Sequence, residues 1–190
     1  MTGARADIAI LGGGLAGGLI ALAVRRADPS LSVVLVEAGE MLGGNHRWSW
    51  FESDLNNDGQ ALLAPIRKIH WPVGYDVHFP EHSRRLESTY VSLSSTDFDA
   101  ALRRELAQST IHTGRKVASV DARGATLEGG KRIEARCVID ARGYIPSDAF
   151  EGGWQVFMGR HLRTHAPHDV DRPIVMDAKL AQHDAFRFVY

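Results

Sequence analysis

Apolar residues set the first three elements. From Asp7 to Leu11 the chain is apolar and β-compatible, as for a central parallel strand covered on both faces, and Gly12-Gly13-Gly14 breaks it. Leu15, Leu19, Leu22 and Ala23 then fall at helical spacing as far as Arg26, and Ala27-Asp28-Pro29 ends the run with a residue that cannot continue a helix. Leu31 to Val36 predicts a second buried strand, with Glu37 at its end.

The pattern dissolves between Met41 and about Thr89, where scattered Pro, His and aromatic residues show no sustained period; this segment reads as an excursion out of the first domain. Order returns at Thr96, a candidate cap for a helix with Phe98, Leu102 and Leu106 on one face. Lys116 to Val120 and Ala125 to Leu127 predict strands, and Gly129-Gly130 supplies a tight hairpin turn before Arg132 to Ile139. Beyond Gly143, three short β-prone stretches follow: Trp154 to Met158, Pro173 to Met176 and Phe186 to Tyr190. The chain stops in the third without a closing turn, which suggests a truncated product. The whole is an α/β chain with no visible repeat.

Composition narrows the partners. A net charge of -1 over 190 residues offers no global attraction for nucleic acid or anionic lipid. Cys137, the single cysteine, lies in an apolar strand and is expected to be a buried, inert thiol. The uncharged run from Ile8 to Val24 falls just short of a membrane span and contains five glycines, so it reads as strand, turn and buried helix.

Gly12-Gly13-Gly14-Leu15-Ala16-Gly17 matches G-x-G-x-x-G in the required context, after a strand and opening a helix. Gly12 permits the tight turn, Gly14 lets the backbone approach a pyrophosphate, and Gly17 lets the helix pack close to the strand. The anion then meets free N–H groups at the positive end of the helix. Glu37, twenty residues beyond Gly17, is placed to accept hydrogen bonds from the adenosine ribose, and its charge disfavours a 2′-phosphate. Gly43-Gly44 permits a second close approach to a long ligand, and Arg47 adds a candidate phosphate contact. With the strand ending Asp140-Ala141-Arg142-Gly143, which resembles the second dinucleotide-contacting segment of FAD enzymes, FAD is favoured over NAD. Asp140 and Gly143 join the cofactor site on that basis.

Two other groups of residues invite chemistry. His161 and His165 are spaced as helical metal ligands, with His168 nearby, but Pro167 and the polar surroundings argue against a helix; no metal is expected. Trp48, Trp50, Phe51, Trp71 and Tyr75 either line an apolar cavity or form core beneath a cap.

From Asp7 to Tyr190 the chain resembles the bacterial lycopene β-cyclases, flavoproteins of carotenoid synthesis. The resemblance is carried by Gly12 to Leu22, by Val36-Glu37-Ala38 with Gly43-Gly44-Asn45-His46-Arg47-Trp48-Ser49-Trp50, and by Val138 to Tyr144. Pro173 to Ala178 and Phe186 to Tyr190 add to it. The Gly-Gly-Asn-His-x-Trp-Ser and Met-Asp-Ala parts are its specific elements.

The resemblance implies a Rossmann-like FAD-binding domain of the glutathione-reductase type, with parts of an interleaved, mainly antiparallel β substrate domain. The expected division is 1–50 with 92–150 for FAD, and 51–91 with 151–190 for a partial substrate domain. It implies a non-redox isomerase: an acid protonates the terminal double bond of a lycopene ψ-end, the cation closes a six-membered ring, and proton loss gives a β-ionone end. Reduced FAD would stabilise the cation, NAD(P)H would reduce the flavin, and the substrate would be lycopene or a related acyclic carotene. Such a polyene implies a cytoplasmic protein in peripheral contact with the inner membrane. In the family, the Glu-Asp stretch credited with proton transfer follows the strand matching Phe186 to Tyr190, so the acid is expected beyond Tyr190 and no catalytic residue is assigned here. Asp140 and Asp177 stand at strand ends, where each is equally suited to holding a turn. The alternatives are an FAD monooxygenase or reductase of a lipophilic substrate, and an inactive fragment that at most binds dinucleotide.

Overall fold

In the computed structural model, which describes residues 4–144, 148–153, 156–160 and 162–190, the apolar runs of the N-terminus become β1 (Ala4–Leu11), α1 (Leu15–Ala27) and β2 (Val33–Val36). β1 and β2 pair in parallel from Ile8 opposite Val33 to Leu11 opposite Val36. The second strand starts at Val33 because the residues before it form a polar turn. Asp28 accepts from the backbone and hydroxyl of Ser30, and Ser32 and Asp7 bond each other reciprocally.

The irregular segment contains more structure than its sequence advertises: β3 (Arg47–Phe51), α2 (Asn57–Leu63), β4 (Ile69–Trp71), β5 (Tyr75–Phe79), β6 (His82–Leu86) and β7 (Tyr90–Ser94). β7 leads into α3 (Ser95–Glu105). Its cap is Ser94 rather than Thr96: Ser94 Oγ accepts from Asp97 N at 3.1 Å and donates to Asp97 Oδ2 at 2.6 Å. β8 (Ile111–His112), β9 (Val117–Asp121), β10 (Gly124–Leu127) and β11 (Arg132–Asp140) follow, the last two joined by the expected glycine turn.

The chain divides into two compact units, Met1–His70 with Val91–Gly143 and Trp71–Tyr90 with Tyr144–Tyr190. The main sheet of the first has the order β8-β2-β1-β11-β10-β9, parallel from β8 to β11 and antiparallel beyond. One face of β1 and β2, with Ile10 and Leu35, packs with Leu22 of α1, Phe98 and Leu102 of α3, and Leu63 of α2. Ala9, Leu11, Val34 and Val36 pack instead with Ala125, Leu127, Ile133 and Ala135. A small sheet of order β3-β7-β4 sends Trp48, Trp50 and Leu93 into the first cluster. Cys137 corrects its expectation: it is exposed, because burial on that stretch of β11 ends with Ile133 and Ala135, beneath the β9–β10 hairpin cluster.

In the second unit, β12 (Ile174–Asp177) runs parallel to β5, and β6 pairs antiparallel on the other side. Trp71 and Tyr75 pack around Tyr90 with ring centres 6.0 and 6.1 Å away. Among the described residues of the three late β-prone stretches, those of the middle one form a strand. Val156 to Met158 form none, Val189 makes a single bridge to Asp177, and Trp154 and His161 lie outside the described residues. No helix among the described residues is long and apolar enough to cross a membrane.

Candidate functional site

The site is built where the C-terminal ends of β1, β2 and β11 meet the start of α1. Gly12 has φ of 104°, a left-handed value that a side chain would strain, and a Cβ there would press into the Ala141 carbonyl group. The turn is closed by Gly12 N donating to Val36 O and Ala141 N donating to Leu11 O, each at 2.7 Å. Gly17 is held under the same turn, where a Cβ would run into the carbonyl oxygen of Gly12. Gly18 lets α1 meet α3: a Cβ on it would stand 2.5 Å from Phe98 Cζ. Gly14 differs from all of these, for among the described residues a Cβ there would meet nothing within 4 Å.

α1 starts at Gly14 with no side-chain cap, so the first amides of a thirteen-residue helix are aimed out of the turn. Glu37 borders it. Its Oε2 accepts from Gly13 N at 2.7 Å and its Oε1 from Gly39 N at 2.8 Å. Each oxygen keeps acceptor capacity, since a carboxylate offers about four lone-pair sites. The cradle thus joins free helix amides, a side-chain-free approach at Gly14 and an oriented carboxylate. These residues fit a dinucleotide, with the pyrophosphate at the helix start and the adenosine ribose at Glu37.

The second glycine pair docks on the first. Gly43 N donates to Gly13 O at 2.8 Å, and Leu42 is fully buried against Gly13. Gly43 sits at φ of 78° with Trp48, Ser95 and Phe98 crowding the position of a Cβ; Trp48 in turn meets Phe98 edge-on at 5.3 Å. Arg47 lies on β3, where Nη1 donates to Ser92 Oγ at 3.1 Å beside the Ser49 hydroxyl. At the end of β11, Asp140 accepts two hydrogen bonds from Arg142, from Nε to Oδ1 at 2.8 Å and from Nη2 to Oδ2 at 2.7 Å. That guanidinium holds the Asp140 carboxyl below its ordinary value, against a smaller opposing effect of burial. Gly143 follows at φ of 87°, and among the described residues nothing lies within 4 Å of where a Cβ would point.

Sequence reasoning missed Asp99. This buried carboxylate accepts from Leu42 N at 2.8 Å and pairs with Arg103, whose Nη2 also reaches Glu40 O at 3.1 Å. The acid–base spacing of i, i+4 on a helix was the signal available. Asp177 holds a turn, accepting from Lys179 N. Among the described residues no three His, Cys, Asp or Glu side chains gather as metal ligands. Trp50 and Val91 line an open cavity of about 570 Å³ beside α2.

Comparison with known structures places this architecture. A peptidyl tryptophan dihydroxylase of tryptophylquinone cofactor biogenesis superposes with a TM-score of 0.54 at 23% identity, over 78% of this chain and 35% of that one. The p-nitrophenol 4-monooxygenase of Pseudomonas putida gives 0.54 at 19%, over 75% and 42%. The fold is the Rossmann-like FAD-binding fold of such monooxygenases.

Sequence comparison is closer. The lycopene β-cyclases of Pseudescherichia vulneris and of a Paracoccus species are each 43% identical over 184 residues, 97% of this chain and 47% of theirs. The chain therefore spans about half the length of the curated relatives it matches. The family model for lycopene cyclase protein matches residues 7–190, and the chain belongs to the lycopene cyclase family.

Proposed function

We propose that this chain is the FAD-holding part of a lycopene β-cyclase, which converts the ψ-ends of lycopene or a related acyclic carotene to β-ionone rings without net oxidation. The observation that carries the reading is the cradle of Gly12, Gly14, Gly17 and Glu37 in a member of the lycopene cyclase family.

Gly14 and the start of α1 hold the pyrophosphate, Glu37 the adenosine ribose, and Gly43, Gly44 and Gly143 give the backbone close approach along the rest of a long ligand. Arg47, bonded to Ser92 from β3, is the candidate phosphate contact, and Asp140 fixes the β11 turn through Arg142. Bound FAD in its reduced form supplies negative charge that favours a carbocation in a water-poor site, with NAD(P)H as the source of its electrons. The ring-closing step moves one proton onto the terminal double bond and releases one after closure, so atoms and electrons balance within the carotene. Neither Asp140, bound to Arg142, nor Asp177, bound in its turn, is assigned as that acid. So apolar a substrate suits a cytoplasmic protein working at the periphery of the inner membrane.

Expression of the complete reading frame in lycopene-accumulating bacteria tests the reading. A change from red to orange-yellow, with β-carotene recovered, is expected. Unchanged lycopene with soluble protein present, or oxygen consumption coupled to NAD(P)H, would overturn it.

A further inference from the structure

The loop between β2 and β3 carries Gly43 and Gly44, with Glu40 and Met41 exposed and Leu42 and Gly43 buried. Besides the bonds of Gly43 N to Gly13 O and of Gly114 N to Gly39 O, two polar anchors come from α3. Leu42 N donates to Asp99 Oδ1 at 2.8 Å, and Arg103 Nη2 donates to Glu40 O at 3.1 Å. The two side chains are joined by Arg103 Nε, at 3.0 Å from Asp99 Oδ1 and 2.9 Å from Oδ2. The same helix packs Phe98 and Leu102 against Gly18 of α1. One helix therefore holds both halves of the cradle, the phosphate helix by apolar contact and the second glycine pair by a charged bracket. The bracket ends one residue before Gly43, whose N–H reaches Gly13 O.

We infer that Asp99 and Arg103 are positioning residues for the cofactor: their ion pair fixes residues 40–44 against the fingerprint turn and so sets dinucleotide affinity. This rests on the FAD reading above. A loop ordered before binding leaves less conformational entropy to be lost on binding, which is how preorganisation raises affinity.

The test is FAD titration of the chain by flavin fluorescence quenching, with amide hydrogen exchange measured in parallel. Arg103→Ala is expected to weaken FAD binding at least tenfold and to speed exchange at Leu42 and Gly43, leaving β1 and α1 amides as protected as before. Arg103→Lys, which keeps the charge and one bond, should recover part of the loss. Asp99→Asn, which keeps an acceptor for Leu42 N, should fall between. Arg104→Ala removes the same charge one residue along, where the side chain reaches Pro65 O instead, and should leave affinity unchanged. If Arg103→Ala does not fold, Arg103→Lys against Arg104→Ala makes the same comparison. Affinity within twofold of the parent in the Arg103 variants, or faster exchange spread evenly over β1 and α1, would overturn the inference. A parent chain that binds no FAD would overturn it together with the cofactor reading, a result separate from any outcome with lycopene.

Discussion

After β1, the turn through Gly12 and Gly17 leaves no room for side chains, because the protein's own carbonyl groups occupy their place. After β11, the turn through Gly143 leaves such a position open, and its shape is held by the Asp140–Arg142 ion pair instead. Gly14 belongs with Gly143 by this criterion, although it stands between Gly12 and Gly17 in sequence. The difference separates two demands that one motif combines. At the fingerprint turn, Gly12 and Gly17, which a Cβ would drive into backbone, serve the fold, and Gly14, open at an ordinary φ of -67°, serves what approaches from outside; Gly143 is open as well, but its φ of 87° is a demand of the backbone.

Substitutions can break that distinction. Gly17→Ala carries the largest expected effect, since α1 must shift off the Gly12 carbonyl: a loss of about 3–5 kcal/mol in denaturant unfolding, with insoluble protein as an extreme outcome. Gly12→Ala follows at about 2–4 kcal/mol, combining a strained φ with the clash at Ala141. Glu37→Gln should weaken FAD binding by about 10- to 100-fold, the range set by charge-assisted hydrogen bonds, in a flavin titration. Gly14→Ala should change stability by no more than about 1 kcal/mol and still weaken FAD at least about tenfold; equal losses in Gly14→Ala and Gly17→Ala would dissolve the comparison.

The smallest effect concerns acid. Because Arg142 lowers the folded-state value of Asp140, the pair's contribution is complete above the ordinary carboxylate range and is lost as pH falls through that lowered value. Melting temperatures from about pH 5 to about pH 2 should therefore fall more steeply for the parent than for Asp140→Asn, with a difference of about 0.5–1 kcal/mol at neutral pH for so exposed a pair.

The elements legible in the sequence are those whose partners are local or whose pattern is long. α1 declares itself by spacing and by Pro29, and the β10–β11 hairpin by Gly129-Gly130. α3 was visible by its apolar face, but its start was misread because Ser94, Ser95 and Thr96 are all hydroxyl residues and only the Ser94 geometry reaches Asp97. The stretch from 41 to 89 was opaque for a different reason. α2 has only seven residues, too few for a period, and β3 and β4 both pair with β7, distant in sequence. Cys137 could not be placed because an apolar strand does not say which of its residues a neighbouring hairpin covers. In the candidate site the glycines and Glu37 were readable as a motif, whereas the Asp99 bracket depends on a contact spanning 57 positions.

The parallel pairing of β1 with β11 sets a schedule for synthesis. Ala4 lies opposite Ile133, and the Gly12 turn is completed by Ala141, whose amide caps Leu11. A ribosome adding about 5–20 residues per second makes the stretch between those two halves in roughly 6 to 26 s. Throughout that interval β1, α1 and β2 exist without the strand that closes one side of the turn, with an apolar strand edge open to mispairing. The nascent chain therefore cannot close this turn when the glycine motif emerges, and the turn is completed only once β11 has been made.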